Sequence, residues 1–191
     1  RKNWQVDRKI GKATAIVEPY GLRISQQVEA TMTKYEVRPI GTIRSHDGDF
    51  VVEINAESRP AMRELDGFSH INILWWCHLL DDQLYRELVV AEKPYKEGPK
   101  NVGIFATRSP ARPNPIALTA APLLHVDHDR GRIHVAYVDA EDGSPVLDIK
   151  PYLPAVDRVR VTHTPDWCAT WPSWYEDSAT FDWGTVFENA R

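Results

Sequence analysis

The sequence is poor in cysteine and has no long apolar run, and each shortage excludes a class of protein. Only Cys77 and Cys168 occur in 191 residues, so a disulfide scaffold is excluded. Cys77 lies in the apolar run Ile71–Leu80 and reads as a small core hydrophobe. A reducing, cytoplasmic setting follows, with no disulfide expected. No stretch reaches the roughly 18 apolar residues that span a bilayer, so no membrane association is expected. The start, Arg1-Lys2-Asn3-Trp4, is basic but has no apolar segment behind it, so no signal peptide is expected; Met32 is an alternative start. Glycine-rich nucleotide fingerprints of the Rossmann type, a P-loop and zinc-spaced Cys/His pairs are all missing. His125 and His128 fall in a polar turn and read as solvated, so no metal is expected. Ser109 lacks a nucleophile-elbow context, which leaves a hydrolase triad unsupported. A basic excess is absent too. Net charge is −4, which weighs against a surface built wholly for nucleic acid, although a local basic patch would suffice.

What is present is the composition of a globular domain: 42% hydrophobic and 26% charged residues, enough to build one sizeable core and too apolar for disorder. Residues 1–34 are polar and mixed, with a possible hairpin pairing Thr14–Val17 with Leu22–Ser25, and read as an extension. From Tyr35 the texture changes. Strands are predicted over Tyr35–Arg44, Phe50–Asn55, His70–His78 (a buried run), Val102–Ala106, Ile116–Leu124, Arg132–Val138 and Val146–Ile149. A short helix is predicted over Pro60–Asp66, with Pro60 in its first turn and Gly67 past its end. Asp81–Leu88 reads as helix or loop, Lys93–Lys100 as a loop, and His125–Gly131 as a polar hairpin turn. Many short strands with regular turn signals predict an all-β sandwich or barrel with small helical insertions. Residues 161–191 hold Trp167, Trp171, Trp174 and Trp183, and so many aromatics predict packing on the barrel or on a partner subunit.

Two segments carry candidate chemistry. In Gly103–Ile116 a strand enters a loop holding Arg108, Arg112 and Asn114 together with three prolines that fix φ and remove N–H donors. A rigid loop with two guanidinium groups suits a carboxylate or phosphate; the plainer reading is two surface arginines on a stiffened connection. In Asp139–Tyr152, acids cluster around the Gly143 turn, which either presents backbone groups and a carboxylate to a ligand or is a solvated acidic turn.

These segments resemble the TsaA-like (TrmO) family. The likeness rests on Phe105-Ala106-Thr107-Arg108-Ser109 with Arg112-Pro113-Asn114-Pro115-Ile116, and on Asp142-Gly143-Ser144-Pro145-Val146-Leu147-Asp148-Ile149-Lys150-Pro151-Tyr152. Pro39–Ser45 resembles the family's opening strand and Leu65–His70 its central entry, so the likeness covers residues 35–157 in four ordered motifs.

The resemblance implies a mainly β fold: a compact barrel over residues 35–160 with short helical insertions, flanked by the extension and the Trp-rich tail. It implies a homodimeric methyltransferase using S-adenosyl-L-methionine (SAM), acting on N6 of threonylcarbamoyladenosine at position 37 of tRNA. The implied cofactor residues are His78, Leu79, Arg108, Leu118, Asp142, Gly143, Ser144, Pro145 and Val146. Arg108 would clamp a carboxylate or phosphate, Leu118 would pack on adenine, and Asp139 or Asp142 would accept the N6 proton. Arg112, Asn114 and Lys150 would face the substrate, with Arg112 and Lys150 suited to phosphate. Two departures from the family pattern stand out. Ser45–Phe50 runs almost directly into the next strand where many members carry a Pro-Arg-Gln segment that helps bind SAM, and the tail does not match the usual C-terminal domain. Two other functions therefore compete: methylation of a small molecule on the same fold, and a non-catalytic SAM-binding regulatory protein.

Overall fold

The computed structural model describes residues 35–188, together with the short strands β1 (Val6–Asp7) and β2 (Lys12–Ala13), which pair antiparallel. The chain divides into two units, Arg1–Val37 and Arg38–Arg191. The hairpin predicted over Thr14–Ser25 lies outside the described residues.

The second unit is built on a closed barrel of β3 (Gly41–His46), β4 (Asp49–Ile54), β5 (His70–Trp76), β8 (Ile116–Asp127), β9 (Arg132–Val135) and β10 (Pro145–Pro151), in the order β10-β3-β4-β9-β8-β5. Every pairing is antiparallel. Alternation sets the inside. On β5 Ile71, Ile73 and Trp75 point inward and are buried, while the residues between them are half-buried. Ile43, Val52, Ala121, Ile133 and Val146 complete the fully buried interior. Each such aliphatic side chain contributes about 1.5–3 kcal/mol relative to leaving it exposed. Register breaks between Val146 and Asp148 and between Leu123 and His125 bend β10 and β8 as closure requires. The β3–β4 turn is tight. Asp47 and Gly48 both have positive φ (50° and 87°), as a two-residue hairpin loop demands.

Several predicted boundaries are corrected. The first strand begins at Gly41 rather than Tyr35, beyond Pro39, which has no N–H to give a ladder. The helix predicted over Pro60–Asp66 is instead two 3-10 turns, Ala56–Met62 with Pro60 inside it and Leu65–Gly67; Glu64 at φ 65° breaks the chain between them. The strand predicted over Val102–Ala106 is β7 (Asn101–Gly103), paired with β6 (Val90–Glu92) and followed by a 3-10 turn, Ile104–Ala106. The last predicted residues of Arg132–Val138 leave the ladder when the Ala136 N–H turns to the Pro122 carbonyl. β8 runs on through His125 to Asp127, so the polar turn is shorter than expected, and β10 extends at both ends. Helix α1 is one turn, Gln83–Arg86, capped by the Asp82 carboxylate accepting from the Tyr85 N–H. Helix α2 is Pro154–Asp157.

The tail forms an aromatic nest around the β6–β7 loop. Tyr95 is buried; its ring stacks on Trp167 (5.0 Å between centroids) and meets Trp171 edge-on (5.1 Å). Trp183 packs on Trp171 and Phe181, and the backbone joins the loop in a bridge from Tyr95 to Phe187. Trp174 stands outside the nest, 62% exposed. Replacing Tyr95 with alanine should destabilise the protein by about 3–5 kcal/mol, the range for emptying a buried aromatic site. Chemical denaturation with tryptophan emission would read it, and unchanged midpoint and emission would rule out the nest as a source of stability.

Candidate functional site

At one end of the barrel β5 finishes, β8 begins, β9 leaves and β10 starts. Their ends surround a cleft of about 1150 Å³. The size exceeds the roughly 300–1,000 Å³ usual for small-molecule sites, leaving space for a cofactor and part of an acceptor.

One wall is the proline-rich loop, held by its own polar groups. The buried Thr107 hydroxyl donates to the Ile104 carbonyl (2.8 Å) and accepts the Ser109 N–H (3.2 Å). Pro115 is fully buried, and its carbonyl accepts from the Cys77 N–H (2.8 Å), tying the loop to the end of β5. Arg86 reaches the Pro113 carbonyl (3.3 Å), lies 5.2 Å over the Trp76 ring and pairs with Asp81. Asp81 also accepts from the Trp76 indole N–H (2.8 Å).

The Arg86 hydrogen bond, then that of Trp76, hold the Asp81 carboxyl below the usual carboxylate range. A folded-state value below the unfolded one stabilises above the unfolded pKa, about 3.9, and that stability is lost as pH falls through the folded value. Asp81→Asn should therefore lower the thermal midpoint at neutral pH, and the gap to wild type should close in acid as pH falls through the depressed folded-state value. A gap that persists in acid would mean that the carboxylate charge is not what braces the loop.

Eight of the predicted site residues line the cleft: His78, Leu79, Arg108, Arg112, Asn114, Leu118, Asp139 and Ser144. Arg108 gives one Nη hydrogen to the Leu118 carbonyl (2.6 Å). Its other guanidinium hydrogens have no protein acceptor among the described residues. Arg112 spans the loop, reaching the carbonyls of Thr107 (3.5 Å) and Ser109 (3.4 Å). Ser144 is buried, and its hydroxyl shares a hydrogen bond with His78 Nδ1 (3.3 Å), fixing the imidazole at the rim. Leu118 and Leu79 present exposed apolar surface.

The other predicted residues, Asp142, Gly143, Pro145, Val146 and Lys150, are not among those lining the cleft. Asp142 accepts the Ser45 N–H (3.1 Å) and lies 3.8 Å from the Arg44 guanidinium, so its carboxylate braces β3. Gly143, at φ 81°, donates to the Ile43 carbonyl (2.9 Å). Pro145 pairs with Thr42, and Val146 fills the barrel interior. Lys150 lies far along β10 opposite Asn72, paired with Asp148 (2.6 Å).

Residues that the sequence reading passed over also line the cleft. Cys77 is half-buried at the cleft wall rather than in the core. Burial and then the Asp139 charge push its thiol up, with Arg112 opposing. Tyr137 donates its phenol hydrogen to Asp139 (3.3 Å) and packs edge-on against Phe50 (5.3 Å). Phe105 stands at the rim, 81% exposed. The sole sequence signal for Tyr137 was its place two residues before Asp139 in an alternating segment. Among the described residues no group of His, Cys, Asp and Glu is arranged to hold a metal, and no helix is long and apolar enough to cross a membrane.

Comparisons with known proteins agree on one family. The family of the tRNA-methyltransferase O N-terminal domain matches residues 27–158. A probable S-adenosyl-L-methionine-binding protein of Methanothermobacter thermautotrophicus is 36% identical over 137 residues, spanning 64% of this chain and 93% of that one. The tRNA (adenine(37)-N6)-methyltransferase of Escherichia coli is 36% identical over 124 residues, 64% of this chain but 52% of its own length. A crystal structure of TrmO superposes with a TM-score of 0.55 at 28% identity, covering 69% of this chain and 64% of that one. The chain thus spans about half the length of the bacterial enzyme and nearly all of the archaeal binding protein. With the profile covering well over half the chain and a barrel of the same kind beneath it, the protein belongs to the tRNA-methyltransferase O N-terminal domain family.

Proposed function

We propose that the protein methylates N6 of adenosine 37 in tRNA with SAM as donor, the acceptor being threonylcarbamoyladenosine. The observation that carries this reading is the meeting of His78, Arg108, Leu118 and Ser144, from four separate segments, around one cleft of cofactor size. When bound, SAM supplies an electrophilic methyl group on a sulfonium. The chain's own groups fit such a molecule. The free hydrogens of Arg108 suit its carboxylate, and Leu118 offers apolar surface to adenine. Beside the Gly143 turn, whose N–H is held by the Ile43 carbonyl, the buried Ser144 lines the cleft next to His78. The pinned loop keeps these groups in place, and positioning contributes much of the rate of such a transfer.

Asp139 is the better of the two candidate proton acceptors. It lines the cleft, whereas Asp142 is engaged by Ser45 and Arg44. Arg112 and Asn114 line the cleft and would face the acceptor, and Lys150 would serve only a more distant phosphate. A homodimer in the cytoplasm completes the reading, since Leu79 and Phe105 leave apolar surface at the cleft rim for a second copy to cover.

Titration calorimetry with SAM and with S-adenosylhomocysteine, followed by methyl incorporation into tRNA bearing threonylcarbamoyladenosine, tests the proposal. Saturable binding with incorporation at position 37 is the expected result. Binding without incorporation overturns the substrate assignment, and absence of binding overturns the reading as a whole.

A further inference from the structure

Asp139 is an exposed carboxylate beside the cleft, and no strand ladder holds it. The strand ladder has ended at Val135, and the chain runs from there to the Gly143 turn without regular structure. The one side-chain hydrogen bond that Asp139 makes among the described residues is from Tyr137, whose phenol oxygen lies 3.3 Å from Oδ1. Tyr137 is itself held. Its ring meets Phe50 edge-on at 5.3 Å and 77°, and Phe50 is paired with Val135 across the β4–β9 ladder and with Ser45 across β3–β4. Strand β4 thus supports one side of the half-exposed Tyr137 ring, and its phenol in turn engages one carboxylate oxygen of Asp139.

We infer that Tyr137 is a positioning residue for methyl transfer, occupying Oδ1 of Asp139 so that Oδ2 is turned to the acceptor. The inference rests on the methyltransferase reading and on Asp139 as proton acceptor. In the step it serves, the acceptor nitrogen forms a bond to the methyl carbon and the carbon–sulfur bond breaks, its electron pair staying on sulfur as a thioether. The N6 proton passes to Oδ2 of Asp139. The hydroxyl hydrogen of Tyr137 stays where it is; its contribution is to hold the acceptor oxygen in line, where misplacement by about 1 Å can cost a hundredfold.

Two measurements test this on the full chain, one without turnover. Burial and then the Asp139 charge and hydrogen bond push the Tyr137 phenol up, with Tyr175 from the tail, beside Glu176, also facing it. Spectrophotometric titration of the tyrosines, with Tyr137→Phe subtracted, should show Tyr137 ionising at lower pH in Asp139→Asn. No shift would mean that the two groups do not interact in solution, which overturns the inference whatever the protein's activity. On tRNA bearing threonylcarbamoyladenosine, Tyr137→Phe should lower kcat about tenfold, with KM, SAM affinity and thermal midpoint unchanged. In an Asp139→Asn background the same change should cost less than twofold, because the group it acts through is gone. Independent, multiplying losses would overturn the inference, as would an unaltered kcat in Tyr137→Phe. An Asp139→Asn enzyme as active as wild type would instead remove Asp139 as proton acceptor, the reading on which the inference stands.

Discussion

Gly41→Ala is expected to lower stability by about 3 kcal/mol or more, the upper end of the cost of overpacking. Gly41 is buried at the start of β3, where it pairs with Ile54 on one side and Val146 on the other. A Cβ there would press into the Glu53 carbonyl oxygen and stand 3.2 Å from the Ile54 Cα. Both obstacles are backbone, so no rotamer change relieves the clash. Relief requires β3 to move away from β4, which loosens the seam with β10 as well. Urea denaturation would measure the loss. A variant within about 0.5 kcal/mol of wild type, the range of harmless surface changes, would show that the seam is compliant.

Arg108→Ala should weaken SAM binding roughly 10- to 100-fold, corresponding to about 1.5–3 kcal/mol for a hydrogen bond to a charged group. The thermal midpoint should stay close to that of wild type, because the side chain is exposed and, among the described residues, makes one hydrogen bond, to the Leu118 carbonyl. Arg108→Lys should recover charge without the planar fork, and so only part of the affinity. Calorimetry on the three proteins decides the matter. Equal affinities would assign Arg108 to bracing β8 rather than to the ligand.

Where the sequence carries a strong local signal, it and the structure agree. β4 was legible as a strand and β5 from its run of β-branched and aromatic residues, whereas the tight Asp47-Gly48 turn between β3 and β4 was not singled out. The 3-10 turns of residues 56–67 were not legible, because Pro60 at a helix start and Pro60 within a tighter turn look alike in one dimension. The proline-rich loop and the acidic turn were visible as motifs, and eight of the residues drawn from the motifs and the resemblance line one cleft. The sequence could not separate the two ends of β10. Ser144 opens on the cleft while Lys150, six positions on, is carried along the barrel wall, a difference set by strand direction. Tyr137 and Cys77 were missed because their roles depend on where the chain leaves the ladder after Val135 and Trp76.

Barrel closure also has a kinetic side. The seam that shuts the barrel joins β3 to β10, with Thr42 opposite Pro145, whereas β3–β4 and β8–β9 are hairpins of near neighbours. Hairpins of that kind form in about 1–10 μs, while topologies ruled by distant pairings fold in milliseconds to seconds. During synthesis the hairpins can form as they emerge, but β3 and β5 must wait for β10 to leave the ribosome. Until then both present unpaired edges, the interval in which a nascent chain is open to wrong partners and has most need of a chaperone.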